Sequence, residues 1–125
     1  MTKRVNSYAR RIRVEPLPKS LDILGGTARD VYIGRDQVGT YRYTFDPAIS
    51  DTAEIDWVAV MEIEHRKGIG REIVQLILEK LREGGARHVV LQSRPESVEF
   101  WEKMGFKVRE YARRTDVTVG MERDL

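Results

Sequence analysis

Two neighbouring segments combine the residue types that bind phosphate groups. An apolar run extends from Ala53 to Val60, and the segment His65 to Arg71 then places paired glycines and basic side chains at the head of a helical pattern. Loop amides and a helix N-terminus attract anions, because the helix dipole adds about half a positive charge there. The order strand, basic glycine loop and helix therefore predicts a site for a polyphosphate.

The glycine loop differs from two common nucleotide-binding motifs. It lacks the Gly-x-x-x-x-Gly-Lys-Ser/Thr pattern of a Walker loop. It also lacks the third glycine and the downstream acidic residue of a dinucleotide fingerprint. Neither an ATP-type nor an NAD-type site is predicted.

A second motif lies about thirty residues further on, where Glu99 to Phe106 reads Glu-Phe-Trp-Glu-Lys-Met-Gly-Phe. Together the two segments resemble the GNAT superfamily of N-acetyltransferases. The loop is similar to that family's Arg/Gln-x-x-Gly-x-Gly/Ala motif, which binds the pyrophosphate of acetyl-CoA through loop amides. The second motif looks like its Phe-Tyr-Glu-Lys-x-Gly-Phe helix. The resemblance is strong over Glu54 to Val108 and absent before about Arg29.

The resemblance implies a fold. We expect one domain over residues 1–125, of the mixed α/β (α+β) class, with a mixed central sheet, a splayed parallel strand pair and flanking helices. The helical region between the first two strands is reduced, because only Pro16 to Ala28 is available for it. An acceptor pocket shaped by that region should then be open, or completed by a second chain.

Hydrophobic periodicity predicts the elements. We expect a first strand that Pro16 breaks, a hairpin, a strand covered on both faces, a helix that Gly84-Gly85 ends, a parallel strand, a helix capped by Ser93 or Arg94, and a closing antiparallel pair. The first strand is predicted at Tyr8 to Val14, the hairpin at Val31 to Ile33 with Val38 to Phe45, the covered strand at Ile55 to Val60 and the first helix at Gly70 to Leu81. The parallel strand is predicted at Val89 to Leu91, the second helix through Val98, Trp101 and Met104, and the closing pair at Phe106 to Tyr111 with Val117 to Met121.

The resemblance also implies a cofactor site for acetyl-CoA. Splayed strands leave backbone groups that a peptide-like pantetheine arm can satisfy. The Val58 amide would in addition polarise the thioester carbonyl. The candidate cofactor-binding residues are Val58, Ala59, Val60, His65, Arg66, Lys67, Gly68, Ile69, Gly70, Arg71, Ser93 and Trp101.

The candidate catalytic residues are Glu54, Asp56 and Val58. Glu54 matches by position the glutamate used as general base in one branch of the family, and a carboxylate there can take the proton of an attacking amine. The alternative is a solvent-facing carboxylate paired with an arginine. Asp56 should share the face of Glu54 and serve as base or substrate anchor.

Three positions depart from the family pattern. His65 stands where Arg or Gln is usual, Arg94 where an Asn often contacts the pantetheine arm, and Trp101 where many members have a tyrosine as general acid. An indole cannot donate a proton at useful pH. Other phenols that could act as the acid are those of Tyr41, Tyr43 and Tyr111.

Composition limits the remaining function classes. The chain has 125 residues, 41% of them hydrophobic, and no apolar run approaches the length of a membrane helix. It has no cysteine and only two histidines, so we expect no disulfide, no thiol nucleophile and no metal site. We expect a cytoplasmic protein that acts without a membrane.

We therefore predict an N-acetyltransferase that takes acetyl from acetyl-CoA to a primary amine, on a small molecule or a protein, by direct attack. One alternative is a protein that holds CoA or an acyl-CoA without efficient turnover. Another is a small basic module that binds nucleic acid or a partner, although a net charge of +2 is too small for a general nucleic-acid binder. A homodimer is expected if the edge of the terminal strand needs covering.

Overall fold

The computed structural model describes residues 12–16, 26–61, 68–109 and 118–125. These residues form seven strands, two α-helices and a short 3₁₀ turn at Pro95–Ser97. The strands are β1 (Ile12–Pro16), β2 (Gly26–Ile33), β3 (Asp36–Thr44), β4 (Thr52–Val60), β5 (His88–Ser93), β6 (Lys107–Val108) and β7 (Val119–Asp124), and the helices are α1 (Ile69–Glu83) and α2 (Val98–Lys103).

The strands form one sheet in the order β1-β2-β3-β4-β5-β7-β6. Strands β4 and β5 are parallel neighbours, and every other pair is antiparallel. The mixed sheet, the parallel pair and the flanking helices confirm the fold class predicted from the sequence. His65 to Lys67, Leu17 to Gly25 and Tyr111 to Val117 lie outside the described residues, so the expectations placed on them stay expectations.

Helix α1 follows the predicted apolar stripe. Its buried side chains include Ile69, Ile73, Ile77 and Leu81, which recur at steps of four residues. The helix ends at Gly84, and Gly85 follows with φ 102°, a conformation that favours glycine. The prediction that the Gly84-Gly85 pair ends this helix is confirmed.

Both helices pack on one face of the sheet. Buried residues of α1, α2 and the strands form a single hydrophobic core, in which Trp101 of α2 lies with Ile55, Leu91 and Met121 of the sheet. Trp101 packs edge-to-face on the ring of Phe100 and on that of Phe106. We call this the helical face. The opposite face, which we call the open face, carries the alternate residues of the strands, such as His88, Val90 and Gln92 of β5.

Several predicted boundaries are wrong for local reasons. Pro16 is the last residue of β1 and not its breaker, because β1 is an edge strand and an edge tolerates the missing N–H group. The hairpin begins earlier than predicted, at Gly26, and its turn is shorter, since Ile33 already pairs with Asp36. Neither Ser93 nor Arg94 caps α2 through its side chain; Arg94 precedes the 3₁₀ turn and Ser97 precedes the helix.

The terminal strand is also placed differently from the prediction. Strand β7 begins within the predicted range but extends to Asp124, and it lies between β5 and β6, with Lys107 and Val108 paired to Glu122 and Met121. Among the described residues, the edges of the sheet are therefore β1 and β6. The expectation that the terminal strand has an uncovered edge is wrong, and the homodimer stays a prediction.

Tyr41 places a polar hydroxyl in the hydrophobic core. Its side chain is fully buried, and its hydroxyl has no hydrogen-bond partner among the described residues. Burial, with the nearby Tyr43 adding and Arg29 opposing, raises the pKa of Tyr41 to about 12. A phenol in this environment keeps its proton, and the environment does not favour it as the general acid.

We expect Tyr41→Phe to leave the free energy of unfolding unchanged or to raise it by about 1 kcal/mol, because an unpaired buried hydroxyl stabilises nothing. Urea denaturation measures the change, and Tyr43→Phe at the half-buried neighbour is the matched control. A loss of more than about 1 kcal/mol would show that the hydroxyl has a partner in solution.

Candidate active site

The parallel strands β4 and β5 separate halfway along their length. Their register runs from Thr52 opposite His88 to Ile55 opposite Leu91, and then ends. Beyond that point β4 stays paired to β3 and β5 stays paired to β7. The two strands thus open into a wedge that is held on its outer sides and unpaired across the middle.

A β-bulge in β4 lies where the wedge begins. Arg42 of β3 is opposite Trp57, whereas the next residue, Tyr43, is opposite Ile55, so Asp56 is the extra residue on β4. A bulge bends its strand and increases the local twist. It also changes the alternation of side chains, because Ala53 and Ile55 face the core before the bulge and Val58 and Val60 pack against it after the bulge.

This bulge overturns the prediction that β4 is covered on both faces. Trp57 would continue the buried series of Ala53 and Ile55, but it lies instead on the open face and is 40% exposed. The apolar residues at the end of this strand line the wedge or lie on the open face, so the strand is not buried on both sides.

The backbone of Val58 faces the wedge. The Met61 amide donates to the Val38 carbonyl at 2.9 Å, which makes Val38 and Met61 a hydrogen-bonded pair. In an antiparallel ladder such pairs alternate with pairs that are not hydrogen-bonded. Val58, opposite Tyr41, therefore directs its N–H and C=O groups away from β3, toward the gap beside β5. Val60, opposite Gly39, has the same orientation.

The N-terminus of α1 closes the helical side of the wedge. Gly68 precedes the helix with φ 74°, a left-handed conformation that glycine adopts at little cost, and no side chain caps the first turn. The amides of Ile69, Gly70 and Arg71 have no partner within the helix. Together with the guanidinium of Arg71 they provide a positive end for the cavity.

A cavity of about 1020 Å³ occupies the wedge. It is lined from the helical face by Gly68, Gly70, Arg71, Phe100 and Trp101, and from the open face by Thr40, Asp56, Trp57, Gln92 and Thr118. Val58, Ala59, Val60 and Ser93 line it between the two. The cavity therefore passes through the sheet and opens on both faces.

Two of the cavity residues have limited freedom to bind a ligand. Ser93 is buried, and its hydroxyl donates to the Arg94 carbonyl at 2.7 Å, so only its oxygen lone pairs remain available. Trp101 is 8% exposed and fixed by its ring contacts, so it forms a wall. Both residues adjoin the wedge, but their predicted role in cofactor binding stays a prediction.

Asp56 is committed to neighbours on β3. It forms an ion pair with Arg42 and accepts a hydrogen bond from the Thr44 hydroxyl at 2.7 Å. Arg42 also donates to Thr44 at 2.9 Å, and its guanidinium lies over Gly26, where an added Cβ would come within 2.0 Å of Nη2. The carboxylate of Asp56 is therefore neutralised and held in place.

Glu54 is the carboxylate that remains available beside the wedge. It is exposed on the open face, and no ion pair of its side chain occurs among the described residues. Loss of hydration raises the pKa of Glu54; the negative charge of Asp56 adds to the increase and Arg42 opposes it. A raised pKa makes the carboxylate a stronger base, and the pairing of Asp56 leaves the proton-accepting role better suited to Glu54.

The sequence matches one family model, that of the acetyltransferase (GNAT) family, over residues 13–106. The chain belongs to the GNAT acetyltransferase family. By its family, the protein is an acetyltransferase. No curated protein is significantly similar to the sequence.

Solved GNAT-type structures share the fold. An acetyltransferase from Bacillus subtilis, in complex with CoA, is 21% identical, with 92% of this chain and 98% of that chain covered and a TM-score of 0.69. A GNAT family acetyltransferase from Elizabethkingia anophelis with acetyl-CoA bound is 16% identical, with 92% and 99% covered and a TM-score of 0.71. An acetyltransferase from Thermus thermophilus is 14% identical, with 91% and 97% covered and a TM-score of 0.74.

Sequence reasoning missed two features of the site. It did not single out Arg42, which neutralises Asp56, or Trp57, which lines the open face of the cavity. Both depend on the bulge, which alternation alone does not predict. The described residues include no group of three or more acidic or histidine side chains suited to a metal ion, and none of the helices described is long and apolar enough to cross a membrane.

The raised pKa of Glu54 predicts a pH-dependent change in stability. A pKa that is higher in the folded state favours the protonated form on folding, so the carboxylate lowers stability at any pH above that pKa. We expect Glu54→Gln to be slightly more stable than the wild type at neutral pH, and the difference to disappear as the pH falls below the ordinary glutamate value of about 4.3.

Urea denaturation at several pH values measures this difference. Glu102→Gln, on the exposed side of α2, is the control and should show no such dependence. A Glu54→Gln variant that is less stable than the wild type at neutral pH would mean that the carboxylate has a favourable partner in solution.

Proposed function

We propose that this GNAT family member transfers acetyl from acetyl-CoA to a primary amine by direct attack. The observation that supports this most strongly is the cavity through the sheet, because two substrates can meet in it from opposite faces. A protein that only held CoA would need the helical half of the cavity alone. The alternative of a nucleic-acid module draws on five basic residues near the N-terminus, Lys3, Arg4, Arg10, Arg11 and Arg13. The first four lie outside the described residues, and Arg13 forms an ion pair with Glu15.

Acetyl-CoA would occupy the helical half of the wedge. The unpartnered amides of the first turn of α1 and the side chain of Arg71 suit the pyrophosphate. The backbone groups of Val58, which point into the wedge, suit the peptide-like pantetheine arm, with the lining residues Ala59, Val60, Ser93 and Trp101 beside it. By the family resemblance, His65, Arg66 and Lys67 would complete the phosphate loop. The CoA and acetyl-CoA recorded with the relatives from B. subtilis and E. anophelis support this assignment.

A second cavity, of about 400 Å³, extends the positive surface along the helices. It lies between α1 and α2, shares Arg71 with the wedge, and is also lined by Arg82, Lys103 and Arg123. These cations outnumber its single lining carboxylate, Glu79. A cofactor with several phosphates would be attracted to this side of the molecule.

The bound cofactor supplies an activated acyl carbon: as the amine nitrogen bonds to it, the carbon–sulfur bond breaks and the electron pair leaves on sulfur. Glu54 would take the proton that the nitrogen loses, directly or through a water molecule. The Val58 amide would donate to the carbonyl oxygen as negative charge develops there. Asp56, held by Arg42, would orient the amine or keep the local charge in place. The thiolate would take its proton from solvent, since a thiol with a pKa near 8.5 needs little help to leave.

Assembly and location remain open to test. We propose a cytoplasmic enzyme, on the family resemblance alone. A homodimer stays a prediction that rests on the open acceptor side, because β7 is interior to the sheet. The direct test of the function is release of CoA thiol from acetyl-CoA with a panel of amines, peptides and aminoglycosides. Acetyl-CoA binding without thiol release from any of them would favour the holding protein.

Cofactor binding predicts a stability change that a glycine substitution should remove. At about one hundred times its dissociation constant, acetyl-CoA should add about 2.7 kcal/mol to the free energy of unfolding. Gly70→Asp should abolish most of this gain, because it places a negative charge beside the phosphates. Thermal denaturation with and without acetyl-CoA measures it.

Gly70→Ala is the matched control. A Cβ at Gly70 would meet Val60 and Phe100 at ordinary contact distances of 3.5 and 3.6 Å, so the alanine variant should fold and retain most of the binding. A wild-type melting temperature that millimolar acetyl-CoA does not change would contradict the cofactor assignment.

The proposed role of Glu54 as general base predicts how its substitution changes the rate. Removing a general base costs roughly a hundredfold to ten-thousandfold in rate, so Glu54→Gln should lower kcat by that factor and leave the affinity for acetyl-CoA nearly unchanged. Asp56→Asn tests the alternative base. If Glu54→Gln matches the wild type at every pH while Asp56→Asn loses activity, the base is Asp56.

A further inference from the structure

Trp57 is a large aromatic side chain on the open face of the central strand β4. It is 40% exposed, although it lies in the middle of a seven-stranded sheet. The bulge at Asp56 accounts for its position, since the extra residue turns the indole away from the core. An exposed tryptophan at the mouth of a cavity has no role in the core, and such residues often mark a binding surface.

Among the described residues, the charged side chains near Trp57 on the open face sum to a net negative charge. Arg42, directly opposite Trp57 on β3, is already paired with Asp56 and bonded to Thr44. Glu54 lies on the same face without an ion pair among the described residues. Of the other polar side chains that line the cavity, Thr40, Gln92 and Thr118 are neutral, and Glu96, in the 3₁₀ turn, adds a further carboxylate. The Thr118 hydroxyl donates to Gln92 at 3.0 Å.

Positive charge in the cavity belongs to the other face. Arg71 lies in the first turn of α1, and Arg94 lies in the segment that leads from β5 into α2. Both elements are on the helical face, where the proposed phosphate site requires cations. An acceptor that carried a carboxylate near its amine would bring that carboxylate to Glu54, with no uncommitted cation on the described part of the open face.

We propose that Trp57 determines acceptor specificity, and that the acceptor is an amine with a second cationic group and no carboxylate near the reacting nitrogen. This inference rests on the proposed function. The indole face attracts a cation through its π electrons, and Glu54 attracts the same charge. One ammonium group would rest against Trp57, while the other would lose its proton and attack.

Three amines of equal chain length test the proposal. 1,4-Diaminobutane carries a second ammonium group, n-butylamine carries hydrogen in its place, and 4-aminobutyrate ends the same four-carbon chain in a carboxylate. We expect kcat/KM for acetylation to be about tenfold or more higher for the diamine than for either of the others, with the difference mainly in KM.

Variants of Trp57 then test whether the preference for the diamine comes from the indole. Trp57→Ala should lower kcat/KM for the diamine about threefold to thirtyfold through KM, the range expected for loss of a cation–π contact. It should change the value for n-butylamine much less. Trp57→Phe should retain part of the preference. The matched control is Met61→Ala, because Met61 is also 40% exposed but does not line the cavity.

Calorimetry separates failure of this inference from failure of the proposed function. The dissociation constant of each amine is measured on the protein alone and on the protein loaded with CoA. A tighter diamine that Trp57→Ala weakens supports the inference even where thiol release is absent, in which case the proposed function fails by itself. An equal affinity for all three amines, no diamine binding at millimolar concentration, or a preference that survives in Trp57→Ala would overturn the inference.

Discussion

The active-site region depends on the single extra residue in β4. Asp56 has no counterpart on β3, and directly after Ile55 the pairing between β4 and β5 ends. A bulge increases twist and bends its strand, so two parallel neighbours that begin in register cannot continue side by side. The cavity, the orientation of the Val58 amide and the exposure of Trp57 all follow from this one local change.

The wedge can persist because the strands on each side remain paired. Strand β4 keeps its ladder with β3 as far as Val60, and β5 keeps its ladder with β7 as far as Ser93. The opening therefore removes only the hydrogen bonds that a few residues of β4 and β5 would otherwise form with each other. A buried amide without a partner costs free energy of the order of 1 to 3 kcal/mol, which a ligand can recover by hydrogen bonding to it. A peptide-like arm that formed these hydrogen bonds would gain that free energy on binding.

The sequence predicted most of the fold because its strongest signals are local. Paired glycines, the apolar stripe of α1 and the change of period from strand to helix are sufficient for the order of elements and for the glycine turn at Gly68 that precedes α1. The bulge is different. Nothing in the letters around Asp56 distinguishes an extra residue from a regular pair, since no glycine or proline marks it. Its consequences for Trp57 and for the Arg42–Asp56 pair were therefore not predictable by alternation.

The bulge also separates the two carboxylates chemically. It brings Asp56 to Arg42 and Thr44, where its charge is balanced, while Glu54, two residues earlier on the strand, forms no ion pair with a described residue. The sheet thus separates charge around the cavity, with the helix amides and Arg71 on one face and Glu54 beside it on the other. The proposed anionic cofactor and cationic amine would each be attracted to a different face. In that proposal their reacting atoms would meet within the wedge, beside the Val58 amide.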